Sequence, residues 1–365
     1  MKVVVVGLRG FPNIQGGIET HCEELYPRLA KMGCQIIVVR RKGYIQENPP
    51  LKNYKNVSFK DIISPKIIGV EAAFHTFLGI FYAYKVKADI VHIHAIGPAI
   101  TIPFAKMLGL KVVMTHHGPD YNREKWGFFA KSILKLGEYF AAKLADGIIA
   151  ISTVITDILK KKYSRTKNVH LIYNGVTMLP QSNSTTYISS LNLQPGKYIL
   201  AVGRFVQEKR FDKLIEAYIS LNNNDYKLVI AGDADFETNY SKTLKENAMK
   251  NSIILTGMIK GEKLQELYSN ARLFVLPSSH EGLPITLLEA MSHNIDVLVS
   301  NIPANISVKL APNHYFDINK PEDLKDKLIS KLSTAEYHPQ YNLKEYNWDN
   351  IAQKTLHIYQ NIIHL

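Results

Sequence analysis

The stretch His280-Glu281-Gly282-Leu283-Pro284-Ile285-Thr286-Leu287-Leu288-Glu289-Ala290 decides how this chain is read. It follows an apolar strand, Arg272 to Leu276, and runs into an amphipathic helix. Two carboxylates bracket the turn. Near Glu281, a strand-to-helix turn presents backbone N–H groups at a helix N-terminus, where anions are held well. Glu289 lies about two helical turns further on. Together, an acid and an amide cluster suit a ligand that carries both hydroxyls and phosphates.

Outward from this stretch, short β-branched runs alternate with longer helical patterns. Lys2 to Gly7, Gln35 to Val39, Asp89 to His94, Lys111 to Thr115, Gly147 to Ile151 and Val169 to Ile172 read as strands. The pattern restarts at Lys197 to Gly203 and continues through Tyr226 to Ala231, Ser252 to Leu255, Arg272 to Leu276 and Asp296 to Ser300. Such alternation implies parallel sheets covered by helices. Met178 to Pro195, rich in Ser, Asn, Thr and Pro, has linker composition. The expected fold class is α/β, with two Rossmann-like doubly wound domains over residues 1–180 and 195–345. They are expected to face a cleft, with ligands beyond the carboxyl ends of the strands. Residues 346–365 are expected to form a C-terminal helix with Ile351, Thr355, Ile358 and Ile362 on one stripe. The pattern alone has that helix packing on its own domain.

Length and composition agree. A chain of 365 residues suits two domains. Hydrophobic content of 46% and charged content of 21% describe an ordinary globular protein. The formal net charge of +12 favours acidic partners: nucleotide phosphates, nucleic acid or anionic lipid. With no arginine-rich tail or repeated aromatic-basic motif, nucleic acid is not expected. Cys22 and Cys34 form no C-x-x-C pair, and nothing suggests a disulfide framework or zinc pattern, so a cytoplasmic location is the simplest. The apolar run at the N-terminus is too short for a signal peptide. Val70 to Ala83, interrupted by Glu71 and His75, is too short and too polar for a membrane span.

Several further segments can carry chemistry. In Gly7-Leu8-Arg9-Gly10-Phe11-Pro12-Asn13-Ile14-Gln15-Gly16-Gly17-Ile18-Glu19, the pair Gly16-Gly17 stands at a helix entry and permits close approach to an anion. The alternative is a loop that only needs glycines to turn. The loop is not G-x-G-x-x-G, so a nicotinamide or flavin cofactor, and with it a dehydrogenase, is disfavoured. Pro27 should kink the following helix. His92 and His94 share a strand face, but no carboxylate or cysteine lies at ligand spacing, so a structural or polar-lining role is expected there and no metal. His117, in Thr115-His116-His117-Gly118, ends a strand where it can hydrogen-bond a sugar hydroxyl or steady charge at a reacting centre, unless it is structural.

Gly203-Arg204-Phe205-Val206-Gln207-Glu208-Lys209 places two cations after the first strand of the second half. Arg offers a planar fork to phosphate oxygens and Lys a point charge. Fixed cations there would stabilise a departing diphosphate without a metal. Pairing of Arg204 and Lys209 with Glu208 or Asp212 is the alternative. Glu124 to Leu144 is basic and amphipathic. Phe129, Ile133, Leu136, Phe140 and Leu144 can share a face, and Lys131, Lys135 and Lys143 supply charge. It reads as a core-packed helix with a solvated edge or as a patch attracted to an anionic membrane surface.

Four motifs stand in order: Gly16-Gly17, Thr115-x-His117, Gly203-Arg204 with Lys209, and Glu281 with Glu289. Over nearly the whole chain this set resembles the family-4 retaining glycosyltransferases of the GT-B fold. Asn174-Gly175-Val176 and Ala231-Gly232-Asp233 are similar to that class as well. Gly118-Pro119-Asp120-Tyr121-Asn122-Arg123-Glu124-Lys125-Trp126-Gly127 and Gly232-Asp233-Ala234-Asp235 resemble bacterial rhamnosyltransferase-like members that build surface polysaccharide.

The resemblance implies a nucleotide-diphosphate sugar as donor, a glycan or lipid-linked acceptor, and usually no cofactor or metal. It implies that Gly16 and Gly17 approach the donor diphosphate and that His117 sits near the transferred sugar. Arg204 and Lys209 would neutralise the diphosphate. Glu281 would bind sugar hydroxyls, the Gly282 and Leu283 amides would lie near phosphate, and Glu289 would hold the ribose. It also implies work at the inner face of a membrane and a last helix that crosses back to the first domain. No carboxylate is an evident nucleophile, so attack on the face of leaving-group departure is favoured over a covalent intermediate. A nucleotide-sugar epimerase or hydrolase of the same fold is one rival, and a non-catalytic nucleotide-sugar-binding protein another.

Overall fold

The computed structural model describes residues 1–45, 47–65, 71–122, 126–178, 180–222, 225–335 and 338–364. Arg123-Glu124-Lys125 of the rhamnosyltransferase-like stretch, Val70 of the apolar run and Leu179 of the expected linker lie outside these residues. The chain forms two compact units: Met1–Gly175 with Tyr346–Leu365, and Val176–Glu345.

In the first unit the strands are β1 (Lys2–Val6), β2 (Gln35–Arg41), β3 (Asn53–Tyr54), β4 (Val57–Ile62), β5 (Ile90–His94), β6 (Val112–His116), β7 (Gly147–Ala150) and β8 (Val169–Leu171). Among the described residues they form one sheet of order β3-β4-β2-β1-β5-β6-β7-β8. Every pair is parallel except β3 with β4. Helices α1 (Gly17–Lys31), α2 (Glu71–Lys85), α3 (Ile102–Met107), α4 (Phe128–Leu144) and α5 (Thr153–Tyr163) make the crossovers. Burial of β1, β5 and β6 on both faces explains the valine run of β1 and the Val/Ile-rich character of β5 and β6. The β3–β4 hairpin was not expected from the sequence. β4, Val-Ser-Phe-Lys-Asp-Ile, is only partly buried and reads as polar.

The second unit holds β9 (Tyr198–Val202), β10 (Lys227–Ala231), β11 (Ile254–Leu255), β12 (Leu273–Leu276), β13 (Val297–Ser300) and β14 (Tyr315–Phe316). Their order is β11-β10-β9-β12-β13-β14, all parallel. The helices are α6 (Thr186–Ser190), α7 (Phe211–Ser220), α8 (Asn239–Lys250), α9 (Glu262–Asn270), α10 (Ile285–Ser292), α11 (Pro303–Ile306) and α12 (Pro321–Ser333). Its core joins Ile199, Ala201, Phe211, Leu228, Leu273 and Leu328. Both sheets have the connectivity of doubly wound α/β domains.

The expected linker is not a free strap. Buried Glu266 of α9 accepts from Ser184 Oγ at 2.8 Å and from the Ile188 amide at 2.9 Å. The Ser/Asn-rich segment is thereby docked on its own unit. Its polar composition satisfies hydrogen bonds rather than solvating a chain.

The last helix, α13 (Trp348–Ile363), belongs to the first unit. Trp348, Ile351, Ile358, Tyr359 and Ile362 pack into one core with Leu25, Tyr26 and Leu29 of α1 and with Val3 and Val5. Trp348 covers Gly175, where a Cβ would lie 2.4 Å from the indole. Helix α1 runs from Gly17 to Lys31 without interruption at Pro27, so the expected kink does not end it.

Helix α4 corrects the expected face. Its buried residues are Leu134, Gly137, Glu138, Ala141 and Ala142. Phe129, Leu136 and Leu144 are exposed. Small residues let the helix lie against the chain after β5: a Cβ on Gly137 would be 2.0 Å from the Ile96 carbonyl oxygen. Close backbone approach overrode the larger apolar stripe.

Candidate active site

In the second unit the sheet order reverses between β9 and β12, the place where open α/β sheets bind ligands. The loop after β9 and the turn after β12 both leave carboxyl ends there, and they are tied together. The Ser279 amide donates to the Glu208 carbonyl at 2.8 Å. Lys209 Nζ donates to Glu281 Oε1 at 2.6 Å, with both side chains largely buried. Arg204 Nη1 pairs with Asp235 Oδ2 at 2.9 Å. The sequence alternatives for these cations, Glu208 and Asp212, are not their partners in these pairs; Asp212 meets Arg210.

Gly232 makes this junction possible. With φ +140° it passes so close to Gly203 that a Cβ would lie 1.9 Å from the Gly203 carbonyl oxygen. The loop beyond it brings Asp233 and Asp235 beside the β9 loop: the Phe205 amide donates to the Asp233 carbonyl at 3.0 Å. Asp235 was quoted from the sequence only for its resemblance. Its partnership with Arg204 is spatial and has no sequence spacing.

Helix α10 starts at Ile285, with Pro284 as its cap and Gly282 and Leu283 in the preceding turn. Glu289 lies on the first turns of this helix, half-buried, and accepts from Tyr268 Oη at 2.9 Å. Burial, reinforced by that carboxylate, pushes the Tyr268 phenol well up, so it stays a donor. Tyr268 therefore fixes the carboxylate that the family resemblance assigns to ribose, a support that spacing does not show.

In the first unit the reversal falls between β1 and β5. Gly16 caps α1. Directly above it Arg9 and Glu19 form a two-pronged pair, Nε to Oε1 at 3.0 Å and Nη2 to Oε2 at 3.1 Å. A Cβ on Gly16 would come within 2.1 Å of Glu19 Oε2 and 2.5 Å of Arg9 Nη2. Gly17, by contrast, has nothing within 4 Å of a Cβ. Of the two glycines only Gly16 is demanded by close approach. Neither Arg9 nor Glu19 was singled out from the sequence.

The histidines divide. His92 is fully buried and bound by its neighbours: Nε2 meets Thr115 Oγ1 at 2.7 Å, and Nδ1 meets the hydroxyls of Tyr26 and Tyr359. His116 Nε2 meets Glu138 Oε1 at 3.0 Å. Burial would raise the Glu138 carboxyl, but hydrogen bonds from His116, Lys162 and Tyr163 outweigh it and hold it at about 2. These histidines are structural.

His117 is different. Its Nε2 lies 2.9 Å from His94 Nδ1, and no bond to His117 Nδ1 is found among the described residues. Burial, with neighbouring His21, His116 and His92, drives its pKa well below 6.5, so the ring is neutral and can donate or accept at a ligand. His21, which the sequence did not flag, packs edge-on at 5.1 Å. Its Nδ1 meets Asn174 Oδ1 at 3.0 Å, while its buried Nε2 finds no hydrogen-bond partner among the described residues. Burial lowers its pKa to about 4, against the Asn174 bond.

Among the described residues His21, His94 and His117 could hold a metal, their nitrogens lying within 4.8 Å of one another. Yet His94 and His117 stand at hydrogen-bond distance, 2.9 Å. Nitrogens bound to a tetrahedral ion are about 3.3 Å apart, given metal–nitrogen bonds of about 2.05 Å. His94 and His117 form a hydrogen-bonded pair, and His21 packs edge-on against both.

Two Rossmann-like parallel-sheet units have the architecture of the GT-B fold. Residues 15–178 match the model of Glycosyltransferase Family 4, and residues 183–348 match that of Glycosyl transferases group 1; the chain is a glycosyltransferase of this group. It is similar to the uncharacterized glycosyltransferase MJ1607 of Methanocaldococcus jannaschii, 25% identical over 99% of this chain and 98% of that one. It is also similar to the UDP-Gal:alpha-D-GlcNAc-diphosphoundecaprenol alpha-1,3-galactosyltransferase of Escherichia coli, 29% identical over 71% of each chain. In fold it is similar to HepE of Anabaena solved with UDP-glucose, with a TM-score of 0.75, 16% identity, and coverage of 100% of this chain and 98% of that one.

Proposed function

We propose that this chain is a retaining transferase that moves a hexose from a nucleotide-diphosphate donor to a glycan or lipid-linked acceptor in surface polysaccharide synthesis. Rhamnosyl transfer is the narrower case suggested by Gly118 to Gly127. The observation that carries the reading is the Lys209–Glu281 ion pair beside Arg204, beyond β9 and β12. Two cations and the Gly282 and Leu283 amides would take the diphosphate as charge builds on it. Glu281 would bind sugar hydroxyls and Glu289, steadied by Tyr268, the ribose. Gly16 and Gly17 would approach the diphosphate, and neutral His117 would hydrogen-bond the transferred sugar. No metal or other cofactor enters this scheme.

The Escherichia coli relative is a UDP-Gal-dependent galactosyltransferase with a diphosphoundecaprenol-linked acceptor, and HepE was solved with UDP-glucose. Here they support trying the same classes. A lipid-linked acceptor would be met at the inner face of a membrane, with the basic helix α4 as the segment that reading engages. No described helix is long and apolar enough to cross a membrane.

The test is transfer from a panel of nucleotide sugars to a diphosphate-linked lipid acceptor, with the anomeric configuration of the product read by NMR. Retention with acceptor-dependent donor consumption is expected. An inverted product, or equal consumption without acceptor, overturns the reading.

A further inference from the structure

Helix α2 turns its aromatic residues outward. Phe74, Phe77, Phe81 and Tyr84 are 45%, 42%, 56% and 51% exposed. Their spacing of three, four and three places them on one face of a helix. His75, Thr76, Gly79, Ile80 and Ala83 fill the opposite, buried face. That orientation is fixed, because a Cβ on Gly79 would sit 2.7 Å from Val6 Cγ1 of β1. A surface helix normally buries its apolar stripe; here the large apolar groups are left in water.

The stripe does not stand alone. The connections through α2, α3, α4 and α5 all step in the same direction across the sheet, so right-handed crossovers lay these helices on one face of it. Phe77 stacks on Phe104 of α3 at 4.3 Å. Met107 ends α3 at 84% exposure, and Phe128 and Phe129 open α4 at 89% and 77%. Helices α2 to α5 carry eight lysines against three carboxylates, one of them the buried Glu138.

We infer that this helical layer docks the first unit on an anionic lipid bilayer. Aromatic side chains entering the headgroup region, with an excess of lysine on the same helical layer, match the chemistry of such a surface: tyrosine rings have one apolar and one wet end, and lysines reach lipid phosphates. A neutral partner protein would explain the aromatics but not the excess of lysine. The inference deepens the membrane part of the proposed function and is independent of its donor chemistry.

The test is co-sedimentation of the full chain with vesicles of phosphatidylcholine alone and of phosphatidylcholine mixed with phosphatidylglycerol. Binding is expected on the mixed vesicles, at least about tenfold weaker on neutral ones, and weakened by added salt. Phe74→Ser with Phe81→Ser should reduce binding by about tenfold or more, as the loss of two buried apolar groups implies. Melting should not change, because both side chains are exposed. Met249→Ser, an exposed change in the second unit, should leave binding unaltered. No binding to mixed vesicles overturns the inference, as does equal binding by the aromatic double variant. A concentration-dependent dimer that this variant abolishes, without lipid binding, would assign the face to a second copy instead. Vesicle binding needs no nucleotide sugar, so its failure is separable from failure of the transferase reading.

Discussion

Replacing Lys209 with methionine should weaken nucleoside-diphosphate binding by a calculable amount. Lys209 Nζ sits 2.6 Å from Glu281 Oε1, and the two side chains are 15% and 12% exposed. An ammonium about 4 Å from a phosphate oxygen gains roughly 4 kcal/mol at an effective dielectric of about 20. Desolvation, and the existing hold on Glu281, take back about half. The remaining ~2 kcal/mol is about a thirtyfold rise in Kd for K209M. Glu281→Gln should act in the opposite sense. It removes a negative charge beside the incoming phosphates and releases the ammonium, lowering Kd by about fivefold, or ~1 kcal/mol. In the E281Q background, K209M should cost more than in the native chain, because an unshared ammonium binds phosphate more strongly. The assay is titration calorimetry on the four proteins, using the nucleoside diphosphate that gives the largest thermal stabilisation. An unchanged Kd for K209M would refute the reasoning. So would an E281Q loss as large as that of K209M, since the carboxylate would then be a ligand group rather than a competitor.

The other expectations are shorter. Glu289→Ala should weaken nucleoside binding by about 1.5–3 kcal/mol, the range for a charged hydrogen bond, without unfolding the chain; unchanged affinity by calorimetry removes the ribose assignment. Gly16→Ala drives a methyl into the Arg9–Glu19 pair and should destabilise the first unit by about 1–3 kcal/mol, whereas Gly17→Ala should be near neutral; equal urea midpoints for the two contradict this. The first unit should lose stability in acid. Burial lowers His21 from 6.5 to about 4 and His92 to about 3, so the unfolded chain binds the extra protons and stability rises with pH through that window. The contribution is complete above 6.5 and falls at the acid end by roughly 3 kcal/mol for His21 and roughly 5 kcal/mol for His92; flat urea stability between pH 6.5 and pH 4 would count against it.

The sheets were legible because their strands are buried on both faces. Val3 to Val6, Ile90 to His94 and Leu273 to Leu276 read as runs that little else can form. What failed to show were elements set by their surroundings. β4 is half-exposed and alternates weakly, and β14 is two residues long. The docked segment 180–190 looked like linker because Glu266, the group that holds it, is some eighty residues away in sequence. Helix α4 was read by the wrong stripe because size counts in a sequence pattern, while Gly137 and Ala141 show that closeness of backbones counts in the fold.

The site was legible in a different sense. Residue types at strand ends named Arg204, Lys209, Glu281 and Glu289, but not whom they would meet. Arg204 finds Asp235 through the close pass of Gly232 over Gly203, and Lys209 finds Glu281 because β9 and β12 are neighbours in the sheet. Such pairs change what binding must accomplish. A diphosphate reaching these cations would not meet bare charges; it would have to draw them from carboxylates already in place. The net gain is then a difference between two ion pairings, smaller than either, as fixed, pre-paired charges in a partly buried site require. Ligand affinity would be modest while the cations stay oriented. Extra negative charge developing on the leaving diphosphate would shift the balance toward the ligand at the moment of transfer, so the stabilisation would favour the transition state over the bound donor.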